Sequence, residues 1–266
     1  MKSTTTTNLT FPAGIAVVTG AARGIGAALV RMLAAHGVDV AAFDMDGDAL
    51  ARTNADNPPA AGRVHAFAVD VADARAVQAA VERVESSVGP IGMLANVAGV
   101  LRLSSAASLT DDDWAHCFAV NTDGVFHLSR AVAPLMAARR AGAIVTVGSN
   151  AALVPRTQMA AYAASKAAAH QFTRCLGLEL AAHGIRCNIV APGSTDTPMQ
   201  RQLWQGPEGP AMVIAGALGT YRNGIPLGRI ATPDDIADAV LFLLSDASRH
   251  VTLHTLCVDG GATLGV

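Results

Sequence analysis

Lysine is nearly absent from this chain. Of 19 basic residues in 266, only Lys2 and Lys166 are lysine. Charge of either sign is sparse: Asp, Glu, Lys and Arg make up 15% of the residues, with a net charge of −2, against about a quarter in an average domain. So weak a field excludes attraction to nucleic acid or to an anionic membrane surface. It also points to surface covered by further copies of the chain, and a homotetramer is expected. No apolar run reaches the roughly 18 residues that a membrane span requires. The first eight residues lack the apolar core of a signal peptide. Residues 1–10 read as a disordered tail and the protein as cytoplasmic. The four cysteines (Cys117, Cys175, Cys187, Cys257) have no Cys-x-x-Cys spacing and the eight histidines no ligand spacing, so neither a disulfide framework nor a metal site is expected.

Tyrosine is equally rare, occurring only at 162 and 221, and Tyr162 stands four residues before Lys166. Residues at i and i+4 share one face of a helix. There an ammonium can lower a phenol's pKa from its usual value of about 10, which makes the phenol usable as an acid or base near neutrality. Arginine, planar and bulkier, does not replace lysine in that position.

Hydrophobic residues amount to 51%, enough for one large core over residues 11–266. Short apolar runs alternate with amphipathic stretches. Residues 15–19, 38–43, 64–69, 91–95, 143–147, 186–190 and 255–258 read as buried strands, and helices are expected after residue 24, over 73–87, from Thr110, over 162–182 and over 233–244. Strands this apolar are covered on both faces. The fold class is therefore α/β, a single-domain Rossmann fold: a seven-stranded parallel sheet with helices on both faces. The Gly- and Pro-rich stretch 193–228 reads as an irregular loop of the kind that covers a ligand.

Between the first strand and the first helix lies Thr19-Gly20-Ala21-Ala22-Arg23-Gly24-Ile25-Gly26. Glycines there let the backbone approach a pyrophosphate resting on the helix N-terminus. Asp44 closes the second strand, placed to accept both ribose hydroxyls of NAD and to repel the 2′-phosphate of NADP. Arg23 is the one neighbour that could greet that phosphate. Asp70 and Val71, after the third strand, are placed to meet an adenine.

These glycines, with Asn96-Val97-Ala98-Gly99, Asn121, Ser149, Tyr162, Lys166 and Pro192-Gly193, stand in the order found in the short-chain dehydrogenase/reductase family, which the chain resembles over about residues 12–266. The resemblance implies that Tyr162 is the base, that Lys166 holds the nicotinamide ribose, that Ser149 bonds the reacting oxygen, and that Asn121 helps hold a water. It adds Asn96, Ala98, Gly99, Thr195 and Thr197 to the cofactor contacts. Further stretches, among them Pro155-Arg156 with Met159 and the run from Gly193 to Arg201, resemble a branch of the family that oxidises a cyclohexadiene diol carboxylate with NAD. The implied substrate is 2,3-dihydro-2,3-dihydroxybenzoate. Arg156 would hold its carboxylate, with Arg102 and Arg201 as rivals. Leu101, Leu103, Met159 and Met199 would wall the ring, with Gln200 as a polar contact. Asn150 stands where that branch suggests Asp, which leaves dihydro-3-hydroxyanthranilate open as substrate. A 3-oxoacyl-carrier-protein reductase shares the fold and the catalytic residues but favours NADPH, which Asp44 opposes. A non-catalytic dinucleotide sensor would be expected to lack the tyrosine or the lysine, and both are present.

Overall fold

The computed structural model describes residues 9–55, 61–204, 206 and 208–265. Seven strands form one sheet: β1 (Ile15–Thr19), β2 (Val40–Asp44), β3 (Val64–Ala68), β4 (Ile91–Asn96), β5 (Gly142–Val147), β6 (Ile185–Pro192) and β7 (Thr255–Val258). Their order is β3-β2-β1-β4-β5-β6-β7, and every pairing is parallel. Successive side chains of a strand point to opposite faces, so each face needs its own cover. Ala16 and Val18 of β1 join the core beneath helices α1 (Gly24–Ala35) and α9 (Pro233–Leu244). Ile15 and Val17 join the opposite core, beneath α3 (Ala74–Ser87) and α5 (Gly124–Arg139). The chain also forms α2 (Gly47–Ala55), α4 (Asp111–Phe118) and α6 (Ala160–Leu180).

Local chemistry fixes several helix starts. Asp73 caps α3 by accepting from Arg75 and Ala76 N–H, and Thr110 caps α4 through Asp113 N–H. Thr232 and Asp235 form a reciprocal capping box on α9. No side chain caps α1, so its first N–H groups remain open to a ligand.

Stretch 193–228 is more ordered than expected. It holds α7 (Pro198–Arg201), α8 (Gly209–Ala215) and a 3₁₀ turn at Leu218–Thr220, with an isolated bridge pairing Ala217 and Arg222. Of the expected tail, residues 1–8 lie outside the described residues. Leu9 packs against the core, and Thr10 C=O accepts from Asp246 N–H. No helix among the described residues is long and apolar enough to cross a membrane.

Candidate active site

The sheet order reverses between β1 and β4, and a crevice opens beyond the carboxyl ends of strands at such a point. Thr19 Oγ1 bridges the two strands, accepting from Val97 and Ala98 N–H at 3.0 Å each. Gly20 (φ 63°) lies so close to the exit of β4 that a Cβ would fall 2.8 Å from Ala98 Cα. A Cβ on Gly26 would fall 2.1 Å from Gly20 O. These contacts, with the uncapped start of α1, make the backbone cradle that a pyrophosphate fits. Gly20, Arg23, Gly24, Ile25, Gly26, Asp44, Ala98 and Gly99 all line the cavity there. Asp44 ties the turn to β2: its Oδ2 accepts from Ala22 N–H and its Oδ1 from Asp46 N–H, each at 3.0 Å. Arg23 is ion-paired with Asp46. Asp70 and Val71 line an adjoining cavity with Asp44. Asp70 also closes a local turn by accepting from Ala72 N–H at 2.9 Å.

Asn96 does not face this crevice. Its amide lies in the sheet interior, donating weakly to Ser129 and Thr146 hydroxyls, and it lines none of the described cavities. Strand alternation accounts for the correction: Asn96 ends β4 pointing into a core face, and the backbone of Val97–Gly99 makes the wall.

A neighbouring cavity gathers Ser149, Tyr162, Lys166, Pro192, Gly193, Thr195 and Thr197. Lys166 is buried, and its Nζ donates to Val147 O at 2.9 Å. Burial pulls its pKa from 10.5 to about 8. Burial pushes the Tyr162 phenol above its usual 10, and a hydrogen bond with Ser149 works in the opposite direction. The lysine ammonium is turned to the β5 carbonyl of Val147. A Cβ on Gly99 would sit 3.1 Å from Lys166 Nζ, so glycine there leaves room for the ammonium.

Asn121 is fully buried in a five-residue π-helical segment between α4 and α5. Its Nδ2 donates to Val100 O and Ser165 Oγ, and its Oδ1 accepts from Val100 N–H. Both amide donors are spent on holding the Gly99–Val100 turn against α6, so the side chain has none left for a water. His170, one turn beyond Lys166, carries no sequence signal of its role. Its Nε2 accepts from Ser149 N–H at 3.3 Å, which fixes the end of β5. Burial, helped by Lys166 and Arg174, lowers it to about 4.

Leu101, Arg156, Met159, Met199 and Gln200 line the second cavity, together with Leu203, Ser194 and Arg222. Leu103 does not. It is 43% exposed. Gln200 Nε2 is buried without a hydrogen-bond partner, which leaves a donor for a ligand. Among the rival arginines, Arg102 pairs with Asp113 at 3.2 Å and Arg201 with Asp196 at 2.7 Å. Arg156 has no carboxylate within ion-pair distance among the described residues. Asn150 donates to Asp259 Oδ2 at 3.2 Å; aspartate in its place would set two carboxylates together.

A family model described as short chain dehydrogenase matches residues 14–208. The chain belongs to the short-chain dehydrogenase family. The 2,3-dihydro-2,3-dihydroxybenzoate dehydrogenase of Bacillus subtilis (strain 168) is 54% identical over 252 residues, covering 95% of this chain and 97% of that protein. The Escherichia coli (strain K12) protein of the same name is 43% identical, covering 93% and 96%. Among solved structures, a gluconate 5-dehydrogenase from Burkholderia cenocepacia J2315 in complex with NADP and tartrate superimposes with a TM-score of 0.86 at 33% identity, covering 97% and 98%.

Proposed function

We propose that this short-chain dehydrogenase oxidises a cyclohexadiene diol carboxylate with NAD, and that its substrate is 2,3-dihydro-2,3-dihydroxybenzoate, giving 2,3-dihydroxybenzoate. The observation that carries the substrate class is Arg156: a half-buried cation without an ion-pair partner among the described residues, set in the same cavity as Tyr162 and Ser149. A ring carboxylate would supply the missing charge. The 54% identity to the Bacillus subtilis enzyme supports the same choice. Leu101, Met159 and Met199 supply apolar walls for the ring, and Gln200 offers its free donor to a ring hydroxyl.

When bound, the nicotinamide dinucleotide supplies the hydride acceptor. Ser149 holds the reacting hydroxyl, and Tyr162 takes its proton as carbon–hydrogen cleavage proceeds. Lys166 would secure the nicotinamide ribose. Thr195 and Thr197, which line the same wall, hold the carboxamide end. Removal of hydride and hydroxyl proton leaves a ring ketone; loss of the neighbouring ring C–H proton, with protonation of the ketone oxygen, then makes the product aromatic and drives oxidation. Asp44 favours NAD, because a fixed carboxylate at the end of β2 repels a 2′-phosphate, and Arg23 already neutralises Asp46. In this proposal the working protein is a homotetramer. Trp114, Phe126 and Leu178, on α4, α5 and α6, are 44%, 38% and 70% exposed in the single chain, apolar side chains suited to burial between copies.

The test is a substrate panel with both cofactors: the dihydroxy diene, its amino-hydroxy counterpart and an acyl-carrier thioester. Preferred oxidation of the dihydroxy diene with NAD is expected. Faster reduction of the thioester with NADPH would make the protein an oxoacyl reductase instead.

A further inference from the structure

A second arginine lines the same cavity. Arg222 lies on the loop between α8 and α9 and, like Arg156, lines both the catalytic cavity and a smaller pocket behind it, shared with Asn150 and Ser194. Both arginines are half-buried, and neither has a carboxylate within ion-pair distance among the described residues. Burial lowers both guanidinium pKa values, and Arg222 lowers Arg156 further. Asp259 raises Arg156, yet its oxygens are already taken by Asn150, Thr263 and Gly261. Two cations held together with no carboxylate in ion-pair contact are unfavourable unless a ligand supplies one.

The loop is built to hold this position. Arg222 and Ala217 exchange backbone hydrogen bonds, N–H to C=O, at 3.0 Å in both directions. A Cβ on Gly216 would fall 2.4 Å from Gly224 N, and one on Gly224 would fall 2.5 Å from Ile214 O, so only glycines let the two arms close. Tyr221, immediately before Arg222, is a non-glycine residue at φ 55°, and Gln158, two residues beyond Arg156, sits at φ 62°. Such backbone is strained and persists where surrounding structure enforces it. Both arginine-bearing segments carry this cost.

We infer that Arg222 and Arg156 together form a two-guanidinium subsite for the carboxylate of the substrate, with Arg222 as a specificity-determining residue. The subsite rests on the proposal of a carboxylated diene substrate. Two planar forks can engage both oxygens of one carboxylate, orienting the ring so that its hydroxyl reaches Ser149 and Tyr162.

The experiment compares wild type with Arg222→Met and Arg222→Lys, using NAD-loaded protein. KM and kcat are measured for the carboxylated diene and for a cyclic diol lacking the carboxylate, and benzoate and benzyl alcohol serve as inert binding probes. Arg222→Met is expected to raise KM for the carboxylated substrate roughly 10- to 100-fold, as loss of a charge-assisted hydrogen bond does. Here kcat should change far less, and benzoate affinity should fall by a similar factor. Arg222→Lys should recover part of the loss. If Arg222→Met fails to bind NADH, the neutral Arg222→Gln should show the same rise in KM. An unchanged KM, or equal losses on charged and neutral substrates, overturns the subsite. If wild type binds benzoate through Arg222 yet oxidises no carboxylated diene, the subsite stands and the proposed reaction falls. If it oxidises the diene with no dependence on Arg222, the reverse holds.

Discussion

Burial drives the Tyr162 hydroxyl toward its protonated form, and its bond with Ser149 opposes that shift. Tyr162→Phe is expected to lower kcat roughly 100- to 10,000-fold while NADH binding, followed by fluorescence, is retained. His170 makes a pH prediction. Its folded pKa of about 4 lies below the ordinary value of 6.5, so the unfolded chain takes up a proton first as pH falls. Stability is therefore lost between about pH 6.5 and pH 4. Urea midpoints at pH 7 and pH 4.5 should show a smaller drop for His170→Gln than for wild type. The Tyr162–Lys166 pair was legible in the sequence because two rare residues stood at a helical spacing; Ser149 stood out only through the family resemblance. Arg222 and His170 were not legible: one is in a loop without period, the other looks like any polar residue on a long helix. Asn96 and Leu103 were misplaced because sequence order does not say which way a side chain turns at a strand end or loop.

The element on which the proposed cofactor site rests is the β1–α1 turn. Gly26 lies in the first turn of α1, where a Cβ would meet backbone oxygen at 2.1 Å, and backbone has little freedom to yield. Gly26→Ala is expected to displace the turn and weaken NADH affinity at least tenfold, as read by fluorescence titration; unchanged affinity would show that the turn does not hold the cofactor. The strands were legible to within two residues at most ends, because strands covered on both faces read as uninterrupted apolar runs. Helix α5 was harder, for it contains Pro134, a helix breaker by propensity that packing overrides here. The short helices of stretch 193–228 were also hidden. Pieces of four and seven residues carry too few turns to show a period.

At the scale of the whole molecule, the low charge and the exposed Trp114, Phe126 and Leu178 belong together. Sedimentation at micromolar concentration should give a tetramer; a monomer would leave those apolar side chains unexplained. The parallel order of the sheet was legible from strands that needed cover on both sides. Its consequence is a switch point that brings Asp44, Gly99 and Tyr162 from distant parts of the chain to one edge. The most direct measurement is incubation of the purified protein with 2,3-dihydro-2,3-dihydroxybenzoate and NAD, quantifying NADH and aromatic product together. One NADH per 2,3-dihydroxybenzoate formed, with NADP a much poorer oxidant, is the predicted result. No aromatic product, with turnover instead on an uncarboxylated alcohol or an acyl thioester, would contradict it.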